Sequence, residues 1–204
     1  MKRKIISVII AITMVILLVG CGEKSTYQPG SWPSEDSYTS NWMGLIYKLP
    51  DNVQKVTSDH TWGRRYLYSG VFYGDKDEPT VNDLEEVVTI EMCGYYLDEN
   101  SYIWITSEEI PDESLTLDDF IDEYMEIISS PIVDIQVLEE KESVTVAGTD
   151  YRFIKYKYSG MGINQYHYMY FTQQENRVNY ILIEAVGNDG EKSVPYLLSG
   201  FSEF

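Results

Sequence analysis

Only two cysteines and two histidines occur in 204 residues. The chain is therefore poor in the groups that most often act as nucleophiles, proton shuttles and soft metal ligands. Two cysteines allow at most one disulfide, so the chain must be stabilised chiefly by its core. Basic residues are scarce too: 15 Lys and Arg stand against 33 Asp and Glu, for a formal charge of −18. Phosphate backbones and anionic head groups repel such a chain, which excludes nucleic-acid binding and electrostatic attachment to a membrane. No H-E-x-x-H, P-loop or G-x-S-x-G spacing is present. Gly160-x-Gly162 lacks a third glycine and lies between strand-like segments, as a hairpin turn does. No apolar run reaches the roughly 20 residues of a membrane span; Ile5 to Val19 is 15 residues, broken by Ser7 and Thr13.

That short run follows Lys2-Arg3-Lys4 and leads into Leu18-Val19-Gly20-Cys21. A basic start, an apolar middle and small residues at the end are the plan of a secretory signal peptide, residues 1–20 here. The A-x-A-like site of a soluble secreted protein is missing. Leu-Val-Gly-Cys instead resembles the lipobox of bacterial lipoproteins. The resemblance implies cleavage between Gly20 and Cys21 and a diacylglyceryl thioether on Cys21, carrying fatty-acyl chains such as palmitate. Each buried methylene contributes about 0.8 kcal/mol, and two chains give stable anchoring where one binds marginally. The expected location is the extracytoplasmic face of the cell membrane, lipid-anchored, with a single-membrane envelope favoured over a Gram-negative periplasm. Cleavage would remove Lys2, Arg3 and Lys4, taking the basic residues from 15 to 12 and the charge from −18 to about −21. Cys93 is then the sole thiol; it lies in an apolar strand-like segment and reads as a small buried hydrophobe.

Beyond Cys21, the stretch to residue 41 is rich in Ser, Pro, Gly and charge and lacks periodicity. It reads as a flexible tether that sets the domain on the order of 25 Å from the bilayer. Residues 42–204 read as one globular domain. Its 18 tyrosines suit strands that are part buried and part wet. Strands are expected over 42–49, 66–73, 92–97, 102–106, 132–139, 143–146, 151–158, 165–171 and 178–186. Thr80 is placed to cap a short helix that buries Leu84, Val87 and Val88. A clearer helix spans 117–129, with Thr116 as N-cap, Asp119 as capping-box partner, and Leu115 and Phe120 as hydrophobic staple. A short helix is expected within 190–200. Residues 178–186 are apolar on both alternate sets, so this strand must be covered on both faces.

Three segments carry a resemblance to a known superfamily: Gly44-Leu-Ile-Tyr-Lys-Leu-Pro50, Leu115-Thr-Leu-Asp-Asp-Phe-Ile-Asp-Glu-Tyr124 and Val144-Thr-Val-Ala-Gly-Thr-Asp150. With the Tyr- and Ile-rich closing strand, the polar turn and the terminal helix, they resemble the PsbP-like fold, which also holds the Mog and DcrB-type proteins. The resemblance covers about residues 42–204. It implies an α+β domain, with a mainly antiparallel six-stranded sheet flanked by helices on both faces as an α-β-α sandwich. It also implies proteins that bind and stabilise other proteins, without shared catalytic residues.

Individual residues point the same way. His167 reads as a satisfied sheet histidine, with an acid–base role as the alternative. His60, beside Trp62, Arg64 and Arg65, reads as a loop residue, with a phosphate or carboxylate site, or an enzyme built on it, as alternatives. Asp75, Asp77 and Glu78 lack the later Asp and Gly of a calcium loop, and Glu108, Glu109, Asp112 and Glu113 read as an exposed acidic run. Tyr166, Tyr168 and Tyr170 share a strand face, as core under a helix or as a sugar-stacking stripe. No catalytic residue, metal site or cofactor is assigned. The expected function is a membrane-anchored, non-catalytic binding or assembly module for an envelope protein complex, with a calcium- or glycan-binding surface lipoprotein as the alternative.

Overall fold

A computed structural model describes residues 27–56, 88–110, 114–129, 134–160, 162–187 and 189–204. Cys21 and the signal-peptide stretch lie outside these residues, as do the strand expected over 66–73, the Thr80 cap and the cluster around His60.

Long antiparallel strands dominate. In chain order they are β1 (Ser31–Ser34), β2 (Ser37–Ser40), β3 (Leu45–Lys48), β4 (Val53–Lys55), β5 (Val88–Tyr96) and β6 (Ser101–Glu109). After helix α1 (Leu117–Ile128) come β7 (Asp134–Val146), β8 (Thr149–Gly160), β9 (Ile163–Gln174) and β10 (Arg177–Val186). Helix α2 (Ser193–Leu198) and β11 (Phe201–Glu203) close the chain. One sheet has seven strands in the order β4-β5-β6-β10-β9-β8-β7, and the other has four, β1-β2-β3-β11. The β7–β8 turn is the two-residue pair Ala147 (φ 46°) and Gly148 (φ 74°). Positive φ at both positions matches the strand twist of a tight hairpin, and glycine adopts it without steric cost.

Register decides what each face buries. Ile181 stands opposite Ile105 and Tyr170, and Leu182 opposite Trp104 and Met169. Because side chains alternate along a strand, these rows fall on opposite faces. One face, with Ile103, Ile105, Tyr168, Tyr170, Ile181 and Ile183, packs against Tyr38, Leu45 and Tyr47 of the small sheet and Val194 and Leu197 of α2. The other, with Trp104, Ile154, Met169, Phe171, Tyr180 and Leu182, packs against Phe120, Ile121 and Tyr124 of α1. Central β10 is buried along almost its whole length.

The α1 region forms as its sequence dictates. Thr116 Oγ1 accepts from Asp119 N (3.2 Å) and the Thr116 N–H donates to Asp119 Oδ2 (2.9 Å), closing the capping box. That satisfies two otherwise orphaned groups of the first turn.

The expected sandwich is corrected. The domain is mostly β, with seven- and four-stranded antiparallel sheets and two short helices among the described residues, not a six-stranded sheet with helices on both faces. One cover of the main sheet is itself largely a sheet. Its strands come from places read otherwise. Residues 31–40, read as tether, form the β1–β2 hairpin with Tyr38 fully buried. The last residues, 201–203, add β11 against β3. Val88, read as the end of a helix, opens β5. The two strands expected over 132–146 are one strand, β7, bulged twice against β8.

Candidate functional site

A β-bulge in β5 creates the first cluster. Ile90 pairs with Thr106 and Met92 with Ile105, leaving Glu91 as the extra residue. A bulge re-aims a side chain, and here it sends the carboxylate beneath the N-terminal strands. Glu91 Oε1 accepts from the Tyr27 hydroxyl (2.8 Å); Oε2 accepts from the Gly30 N–H (3.2 Å) and the Tyr38 hydroxyl. Burial pushes the Glu91 carboxyl above its ordinary range, against the pull of these donors and of Arg177. The Arg177 guanidinium stacks on the Tyr27 ring at 3.8 Å. It donates from Nε to Ser107 Oγ (2.8 Å) and from a terminal nitrogen to the Ser107 carbonyl (3.0 Å), and lies 3.5 Å from Glu109.

The opposite face of the same strands encloses Glu108, which is wholly buried. Tyr180 donates its hydroxyl to Glu108 Oε1, while Oε2 has no hydrogen-bond partner among the described residues. Desolvation raises this carboxyl to about 7, opposed by Tyr180 and by the field of Arg177. The expectation of an exposed acidic run is corrected at Glu108, while the Glu109 side chain is 46% exposed. Strand β6 continues to Glu109, so Trp104, Thr106 and Glu108 share the helix-side face, with Ile110 just beyond the strand in the same core. Asp112 and Glu113 lie outside the described residues.

His167 joins a third buried set on the helix-side face. Its Nδ1 pairs with the Tyr156 hydroxyl at 2.8 Å, and its Nε2 faces Gln165 Oε1 at 3.2 Å and Glu184 Oε1 at 3.7 Å. Trp104 donates from its ring nitrogen to Glu184 Oε2 (2.9 Å). The satisfied sheet histidine of the sequence reading is what this geometry holds. Tyr168 and Tyr170, at 7% and 4% exposure, are core rather than an open stacking stripe; the Tyr168 hydroxyl donates to the Asp189 carbonyl. Cys93 is buried at 3% exposure in the helix-side core.

The open concavity lies between α1 and the β7–β8 end of the main sheet. It has two adjoining compartments of about 400 and 310 Å³, with Asp118 and Arg152 lining both. Half-buried Met125 and exposed Val137 give the smaller one open apolar surface above buried Ile121 and Ile154, and Leu117 does so for the larger. Asp122, Glu140, Glu142 and Asp150 add negative charge. Arg152 is held loosely, 3.6 Å from Glu142 and 4.0 Å from Glu140, and its buried Nε has no acceptor among the described residues. Sequence reading missed this groove. The legible signal was the acidic wet face of α1; its meeting with β7 depends on long-range packing.

Chemically, the buried carboxylates act inside the fold, where they hold hydroxyls, an indole and a guanidinium in place. The groove is where an outside group meets apolar surface and charge together. Among the described residues, no three His, Cys, Asp or Glu side chains converge closely enough to hold a metal ion, and no helix is long and apolar enough to cross a membrane.

No family model and no curated protein matches the chain. Among solved structures it is similar to the solution structure of cyanobacterial PsbP (CyanoP) from Synechocystis sp. PCC 6803. The TM-score is 0.49 at 12% identity, over 91% of this chain and 98% of that one. It is also similar to a crystal structure from Bacteroides thetaiotaomicron VPI-5482, with a TM-score of 0.43 at 10% identity, over 83% of this chain and 48% of that one. The likeness to PsbP is one of fold alone.

Proposed function

We propose that this chain is an extracytoplasmic lipoprotein, anchored through Cys21, whose domain is a non-catalytic binding or assembly module for an envelope protein complex. The groove beneath α1 carries the reading. It combines open apolar surface at Leu117, Met125 and Val137 with an acidic rim and a long neighbouring strand, features of a surface that receives another chain.

The attachment of the domain supports the same reading. Tyr27 follows Cys21 by six residues and is clamped by Glu91 and Arg177. The lipidated end therefore enters the fold on the small-sheet face, and the groove lies on the opposite face of the main sheet. A tethered domain with its groove turned from its own attachment meets membrane partners at raised effective concentration.

The test is crosslinking on intact cells followed by co-purification, with Cys21→Ser beside the wild type. The wild type should carry fatty-acid label, sediment with membranes and bring down a specific protein. Recovery of no specific partner, or a Cys21→Ser chain that stays membrane-bound and unprocessed, overturns the proposal.

A further inference from the structure

We infer that the groove between α1 and β7–β8 receives an extended, Lys- or Arg-bearing segment of the partner protein. This rests on the binding-module reading above and names the chemistry of the partner.

Charge complementarity sets the sign. Asp118 and Asp122 on α1 face Glu140 and Glu142 on β7 and Asp150 at the start of β8, with Arg152 the one cation among the described residues that line the compartments. Five carboxylates against one guanidinium select a cationic occupant. Their spacing sets its shape. They are divided between the two compartments, and no three acidic side chains among the described residues gather as a metal site does. A linear polycation fits that arrangement and a single divalent ion does not.

Apolar surface distinguishes a peptide from a small polyamine. Met125 is half-buried and Val137 on β7 is 45% exposed, so these two present the open apolar surface above buried Ile121 and Ile154. Such a surface suits alternate side chains of an extended chain, one set apolar and one basic. Arg152 supplies the remaining feature. Its ion pairs are long, at 3.6 and 4.0 Å, and its side chain is 26% exposed, so the guanidinium can exchange them for a main-chain carbonyl of the incoming segment. Strand β7 is the outermost strand of the seven-stranded sheet and pairs with β8 among the described residues, which places a peptide-length edge beside the groove.

The experiment uses the full chain in lipid nanodiscs of neutral lipid and a fluorescent decapeptide alternating Lys with Val, read by anisotropy. One variant neutralises the groove (Asp118→Asn, Glu140→Gln, Glu142→Gln). A second removes the same charge from exposed sites elsewhere (Glu35→Gln, Glu175→Gln, Glu191→Gln). The groove variant should bind about tenfold more weakly and the second within about twofold of wild type. Equal weakening in both variants overturns the inference, since bulk acidity then explains binding. Displacement of the peptide by calcium alone also overturns it. The same groove variant in the cell crosslinking separates the two claims. A partner still captured at wild-type yield leaves the binding module standing and removes the groove as its site. Loss of the partner with the groove variant alone supports both.

Discussion

Replacing Glu108 by Gln should remove one component of the decline in stability between pH 5 and 8, the part that this carboxyl contributes beside Glu91. In the folded protein the carboxyl titrates near 7, against an ordinary 4.5, because burial disfavours its charge more than Tyr180 and Arg177 favour it. Below 4.5 the group is protonated in both folded and unfolded chains and adds no pH dependence. Between 4.5 and 7 the unfolded chain releases the proton while the folded chain keeps it, so stability falls as pH rises. Above 7 both states are ionised and the full cost of the buried charge is present. At 1.36 kcal/mol per tenfold, the separation corresponds to about 3 kcal/mol. Gln reproduces the shape of the protonated carboxyl and still accepts from Tyr180, so the variant carries no such decline. Urea titrations followed by tryptophan fluorescence at pH 5, 6, 7 and 8 measure both proteins. The difference between them should move by about 2–3 kcal/mol in favour of the variant across that range. A difference that stays constant with pH would refute the assignment of a buried, protonatable Glu108.

Other outcomes follow from the same geometry. Glu91→Ala strands the Tyr27 and Tyr38 hydroxyls and the Gly30 N–H, at a cost of about 1–3 kcal/mol. Hydrogen exchange and proteolysis should then speed up across residues 27–40 while β8–β10 stay protected; uniform loosening would count against a local clamp. Thr116→Ala removes one half of the α1 capping box and should lower stability by about 1 kcal/mol, read as a melting point about 3 °C lower. An unchanged melting point would mean that packing of Phe120 and Tyr124 alone sets the start of this helix.

Much of the architecture was legible in the chain because it rests on short-range rules. The hairpin of β5 and β6, the strands β8 to β10 and the capped α1 follow from alternation, turn residues and a capping box within a few positions of one another. The two-sided apolar pattern of residues 178–186 correctly required a central strand. It did not say that a second sheet would provide one cover, since covering a face needs only apolar partners of any secondary structure. The polar sites were the least legible. Glu91 reaches its cluster through a bulge, and Glu108 is enclosed because β6 runs on to Glu109; neither event is written in the local composition of an acidic run. The groove joins residues of α1 to residues of β7 and β8 across a gap of sequence, so only packing brings them together.

The amino-acid order alone determined the sign of the charge, the shortage of catalytic side chains, the lipobox-like start and the identity of most strands and of α1, because each is a property of neighbouring residues. Tertiary structure alone decided which acids are buried, which surround an open groove, and that residues 31–40, read as tether, are part of the fold. Those outcomes depend on contacts between distant segments, where desolvation and register, not local pattern, set the answer.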